Sequence, residues 1–207
     1  AMMARMTDQP IPAVDELVEV ANAVIRQKEM SDQGVTWEEP PDDKDSIVRD
    51  IRQALDLGIK EWIPVVKPLA VELKASATVH FGDLSVVVQN VLDVLVDDMD
   101  HTIIDWKLSK RKFNSDEIQG DQALHTLYVA ERFGVQNVPF WTVQFLRHKA
   151  GIECHVDKRI VMASERDWYL TNVMIPRVQQ KALGIFPAQT KHCGSCEHRP
   201  MCRPVVL

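Results

Sequence analysis

The sequence predicts an α/β domain, a mixed sheet flanked by helices. Three features predict it. Apolar residues recur at helical spacing through most of the first 63 positions. Runs rich in Val, Leu and Thr, punctuated by Asp, Gly and Asn, then follow between residues 69 and 109. A helical stretch, a hairpin pattern and a last helical stretch complete the order.

The first helix is predicted over residues 13–28, where Val14, Leu17, Val18, Ala21 and Val24 share one face. Residues 31–45, with Gly34 and Pro40-Pro41, read as a polar linker. A second helix opens near Asp45-Ser46, whose side chains can cap free amides, and ends by Pro64 and Pro68. Residues 69–79, 84–96 and 102–109 read as strands, with a polar turn at Met99 to His101. Helical spacing returns over 115–133 through Ile118, Leu124, Leu127, Tyr128 and Ala130. Residues 140–163 read as a hairpin turning at Lys149-Ala150-Gly151, and a last helix covers about 165–183. The expected division is a helical segment (1–67), a core (68–185) and a Cys-rich tail (186–207).

Composition bounds the function. With 207 residues, 45% hydrophobic and 26% charged, the chain can bury a core without disulfide staples. No stretch approaches the roughly 18 apolar residues that would span a bilayer, and no secretory signal is visible. The net charge of −6 hides an asymmetry. Residues 1–105 carry 9 Lys and Arg against 21 Asp and Glu, whereas residues 106–207 carry 15 against 9. The asymmetry fits either a solvated acidic N-terminal part or a basic surface made by the second half.

The chemistry concentrates in VLDVLVDDMDHTIIDWKLSKRK, residues 91–112. Asp93 and Asp105 each follow an apolar pair, and Lys107 follows Asp105 by two. Residues i and i+2 of a strand share a face, so Asp105 and Lys107 lie together and Trp106 points away. Pairing across the turn brings Asp93 toward Asp105. Two close carboxylates repel and are tolerated when a divalent cation sits between them. Mg²⁺ favours such a pair with waters and phosphate oxygens, and a nearby Lys can orient a water. An Asp-x-Lys element alone is also an ordinary surface ion pair.

All four cysteines fall after residue 150. Cys193, Cys196 and Cys202 form C-x2-C-x5-C, which turns thiolates toward one ion. Zinc takes such a set with a fourth ligand, here His192 or His198; an iron–sulfur cluster wants four thiolates. Cys154 lies in the expected hairpin and reads as a core residue.

These elements together resemble the PD-(D/E)XK nuclease superfamily, in its RecB-like exonuclease branch, which includes phage exonucleases and CRISPR-associated adaptation nucleases. The resemblance covers roughly residues 68–204. It implies a restriction-endonuclease-like fold and Mg²⁺- or Mn²⁺-dependent cleavage of DNA, as an exonuclease on single strands or duplex ends. The metal-binding Asp falls on Asp93 and the D/E-x-K element on Asp105-Trp106-Lys107, with the Trp106 carbonyl helping to hold the ion. Glu72 matches a Glu that often precedes the core strands. Gln122 and Tyr128 match the family's helix Gln and Tyr, although they are six apart rather than four. Lys110, Arg111 and Lys112 join Lys107 as a basic run for phosphates. The cysteine tail implies an iron–sulfur cluster in a full-length parent, with zinc or no metal here. The family's early-helix His and upstream cysteine have no counterpart, so the chain is expected to lack its parent's N-terminal part. The resemblance also implies a cytoplasmic setting in a bacterial or phage-infected cell, and partners in a recombination or adaptation complex. A non-catalytic DNA-binding module on the same fold is the alternative.

Overall fold

A computed structural model of the chain describes residues 2–7, 9–30, 44–109, 112, 120–148 and 150–184. The elements run α1 (Met2–Met6), α2 (Val14–Glu29), α3 (Lys44–Glu61), β1 (Pro68–Phe81), β2 (Leu84–Val96), β3 (Ile103–Ser109), α4 (Gly120–Phe133), β4 (Val138–His148), β5 (Gly151–Val161), α5 (Ala163–Tyr169) and α6 (Ile175–Ala182). The short α1 has no counterpart in the sequence pattern. The first part of the expected 115–133 helix and the whole cysteine tail lie outside the described residues.

The chain divides into two units, Ala1–Arg166 and Asp167–Leu207. The first holds a five-stranded sheet in the order β1-β2-β3-β4-β5. Only β3 and β4 run parallel; the other neighbours are antiparallel. Parallel strands need a crossover, and α4 supplies it. The fold is therefore α/β with a mixed sheet, as the sequence predicts.

Strand alternation sorts the core onto two faces, with one slip in β1 and β2 at the level of Glu72 and Asp93, so that Leu92 and Leu95 share a face. On the face covered by α4, Leu92, Leu95, Ile103, Phe140 and Val161 cluster with Val129 of the helix. On the reverse face, Val94, Ile104, Val143 and Phe145 cluster with Trp62, and with Ala54 and Leu57 of α3. Arg147 of β4 ties α3 to this sheet: its Nε donates to Asp50 Oδ2 at 2.7 Å.

The β1–β2 ladder runs the full length of both strands, from Pro68↔Val96 to Phe81↔Leu84. The two-residue turn at its tip uses Gly82 at φ +58°, a conformation glycine adopts without a Cβ clash. The β2–β3 ladder is far shorter, with only Val94↔Ile104 and Leu95↔Ile103 paired. Beyond those rungs β2 leaves β3, and residues 73–92 continue as a two-stranded ribbon.

In the second unit α5 passes through a π-helical turn, Leu170–Met174, into α6. The expected helix thus runs on without a break, and the π-helical turn within it is explained by Pro176. It has no N–H to donate and its ring crowds the carbonyl four residues earlier. Asn172 Nδ2 bonds the Trp168 carbonyl at 2.8 Å within the same stretch. No described helix is long and apolar enough to cross a membrane.

Candidate active site

The centre of the site is the point where β2 and β3 part. Continuing the register of Val94↔Ile104 by one residue sets Asp93 opposite Asp105. The backbone ladder stops there, and a side chain takes over. The Trp106 N–H donates to Asp93 Oδ2 at 2.8 Å. The carboxylate thus plugs the fork between the strands.

Asp105 is 6% exposed. Burial pushes its carboxyl above the usual range. The hydrogen bond and charge of Lys107 oppose that rise, the charge of Asp93 adds to it, and His125 lowers it. Lys107 Nζ lies 3.0 Å from Asp105 Oδ2, with its side chain 36% exposed. Strand parity therefore does bring Asp105 and Lys107 together. Trp106 faces the other way, among aromatics. Its ring meets Trp62 edge-on at 5.6 Å and stacks on Phe145 at 5.9 Å. This packing fixes the middle of β3 from behind, so the two functional side chains project from a stiff strand.

The row continues across the sheet. Asp105 stands opposite Thr142, and Thr142 opposite Asp157. Lys107 stands opposite Gln144, and Gln144 opposite His155. Thr142 and Gln144 are 1% and 2% exposed. Gln144 Nε2 donates to Ser109 Oγ at 3.3 Å, which links β4 to the end of the Asp105–Lys107 strand.

From above, α4 contributes Gln122, 1% exposed, and His125 three residues on. Residues i and i+3 of a helix are neighbours on one face. The His125 ring stacks over Phe140 at 6.0 Å. Tyr128 instead packs against the apolar cluster around Leu92 and Val129, away from the polar row. Glu72 occupies the β1 position between Val71↔Val94 and Leu73↔Leu92, so register sets it opposite Asp93. It is exposed and holds φ +51°, strained for a non-glycine in a strand. Among the described residues no three His, Cys, Asp or Glu side chains converge on one ion position. Glu72 is thus not gathered with Asp93 and Asp105 as a third ligand.

Lys112 is exposed after β3, while Lys110 and Arg111 lie outside the described residues, as do Cys193, Cys196 and Cys202. Cys154 packs among the apolar residues behind the sheet, and burial raises its thiol pKa. Sequence reading missed His125, Thr142 and Gln144. The available signal was polar residues at alternate positions of an otherwise apolar strand, VPFWTVQFL.

The donor set suits a hard divalent cation: two carboxylates at a strand fork, near enough that the charge of Asp93 raises the pKa of buried Asp105. Asp93 and Asp105 are the residues that would hold it.

No curated protein matches the chain. A solved structure described as "Crystal structure of SSO0001" is similar over 100% of this chain and 96% of its own, at 11% identity and a TM-score of 0.44. A family profile, in contrast, matches almost end to end, over residues 1–203. With that match, the chain belongs to the PD-(D/E)XK nuclease superfamily.

Proposed function

We propose that this chain is a Mg²⁺- or Mn²⁺-dependent deoxyribonuclease of the RecB-like branch, acting as an exonuclease on DNA ends. The observation that carries the reading is Lys107 at 3.0 Å from buried Asp105, with the charge of Asp93 acting on the same carboxyl. A bound divalent ion would lower the pKa of a water and neutralise charge on the phosphate. The residues do the rest. Asp93 and Asp105 fix the site's position against the backbone of β3. Lys107, held by Asp105, aims its ammonium at the attacking water and at the oxygens where charge develops. Gln122 closes the site from α4. Lys110, Arg111 and Lys112 would meet backbone phosphates, a sequence-independent and salt-sensitive contact. Cys193, Cys196 and Cys202 would hold a structural metal, zinc with His192 or His198, or an iron–sulfur cluster completed by a fourth ligand. Protein partners would come from a recombination, repair or adaptation complex.

The test is cleavage of end-labelled linear DNA, single- and double-stranded, with Mn²⁺, Mg²⁺ or EDTA. Lys107→Ala should lose about 10²–10³-fold in rate, the usual cost of one electrostatic donor at a transition state. A parent that binds DNA yet never cleaves it would favour a non-catalytic DNA-binding module on this fold.

A further inference from the structure

Strand β4 changes character at the level of the site. Its residues on the face covered by α4 run Val138, Phe140, Thr142, Gln144 and Leu146. All are buried, and the polar ones, Thr142 and Gln144, stand at the rungs of Asp105 and Lys107. An apolar side chain the size of Gln144 would fill this central strand with no amide to desolvate.

Gln144 is paired with Lys107, yet its Nε2 donates at 3.3 Å to Ser109 Oγ, two residues beyond Lys107 on the same face. Its side chain therefore runs diagonally across the β3–β4 ladder and closes the space beside Lys107. The lysine is bounded on three sides. Asp105 lies two residues back, 3.0 Å from Nζ; Ser109 lies two residues on; Gln144 lies across the ladder. The fourth side is that of β2, where pairing has ended at the fork that Asp93 fills.

We propose that Gln144 is a positioning residue for Lys107. Its bond to Ser109 walls off the β4 side, so the ammonium reaches toward the fork rather than over the sheet. The inference deepens the nuclease reading and rests on it for the task that Lys107 performs. A lysine carries a compact charge on a flexible stem. The contact with Asp105 sets how far that charge reaches, and the Ser109–Gln144 wall sets to which side. A reacting group misplaced by about 1 Å can lose about 10²-fold in rate, so such a wall matters to turnover.

The test uses Gln144→Met, an apolar chain of similar length, with Ser109→Ala and Ser109→Thr. Thermal melts in EDTA check folding, and the Ser109 variants carry the test if Gln144→Met does not fold. Gln144→Met and Ser109→Ala should each lower kcat about tenfold or more, with KM within a factor of about two. Ser109→Thr keeps the hydroxyl and should keep the parent's kcat. In a Lys107→Ala background, Gln144→Met should change the residual rate less than about twofold, because its effect passes through the lysine. A second readout needs no cleavage: carbon relaxation NMR of the Lys107 Cε in EDTA, its signal assigned by its absence from Lys107→Ala. Its order parameter should fall in Gln144→Met and Ser109→Ala. Parent-like kcat in both variants would overturn the proposal and leave the nuclease reading intact. So would an undiminished loss in the Lys107→Ala background. A parent that never cleaves would sink the nuclease reading. The relaxation then decides alone: a loosened Lys107 supports the wall, and an unchanged one overturns it.

Discussion

Asp93 accepts the backbone N–H of Trp106 at 2.8 Å, one residue past the last rung joining their strands. One carboxylate oxygen is thereby committed to the fold and the other remains for chemistry. The same side chain sets the opening between the strands and bears on Asp105, whose pKa its charge raises.

Separating those two roles is the first expectation. Asp93→Ala removes a charged acceptor from a half-buried amide and should cost about 1–3 kcal/mol of stability. Asp93→Asn keeps an acceptor oxygen of the same shape and should cost less than half of that. Both should lose metal-dependent cleavage. Urea unfolding in EDTA beside a cleavage assay reads the difference; equal destabilisation by both would mean the amide bond does not hold the fork.

Asp105 gives a pH signature. Burial raises its folded pKa, so the folded chain keeps a proton that the unfolded chain, ionising near about 3.9, releases. Stability from this group is therefore full at lower pH, declines as pH rises from about 3.9 toward the folded value, and levels above it. Asp105→Asn carries no such loss. In EDTA it should melt higher than the parent at pH 7, by a larger margin than at pH 4. Mn²⁺ should raise the parent's melting temperature and leave the variant's unchanged. Equal rises in both proteins would place the ion elsewhere.

The Asp50–Arg147 pair tests what secures α3 to the sheet. Its side chains are 11% and 15% exposed. Arg147→Met leaves a largely buried carboxylate with only the longer Arg49 contact, at 3.8 Å, and should cost toward the low end of about 3–5 kcal/mol. Adding Asp50→Leu should return much of that loss, because the uncompensated charge is then gone. Calorimetry on the single and double variants measures the recovery.

The tail gives a compositional expectation. Cys193, Cys196 and Cys202 supply three thiolates, so an anaerobic preparation should carry about one zinc per chain, or none. Triple replacement by Ser should remove any bound metal. Elemental analysis and visible absorbance check this; a brown protein with about four irons would show that a fourth ligand exists.

Much of the fold was legible because periodicity is a local property. The five strands and the α4 crossover follow from apolar spacing and turn residues. The shared face of Asp105 and Lys107 follows from parity alone. The fork does not, because nothing local in residues 91–96 says that pairing ends after two rungs. His125 was hidden for a similar reason. Its role depends on how α4 is rotated over the sheet, and the same rotation carries Tyr128 into the apolar cluster. Glu72 was readable as a carboxylate near the core but not as one in a left-handed conformation.

The unequal ladders around β3 also bear on the order of assembly. Two rungs bind it to β2, and seven residue pairs, Ile103↔Phe140 through Ser109↔Leu146, bind it to β4. During synthesis from the N-terminus, both aspartates and the lysine leave the ribosome a whole helix before β4, the main partner of β3, does. Until β4 arrives, the β1–β2 hairpin can form but β3 has almost nothing to hold it. Translation thus delivers a carboxylate cluster whose geometry stays unset until the parallel strand docks, and a nascent chain arrested ahead of β4 should have no nuclease activity to restrain.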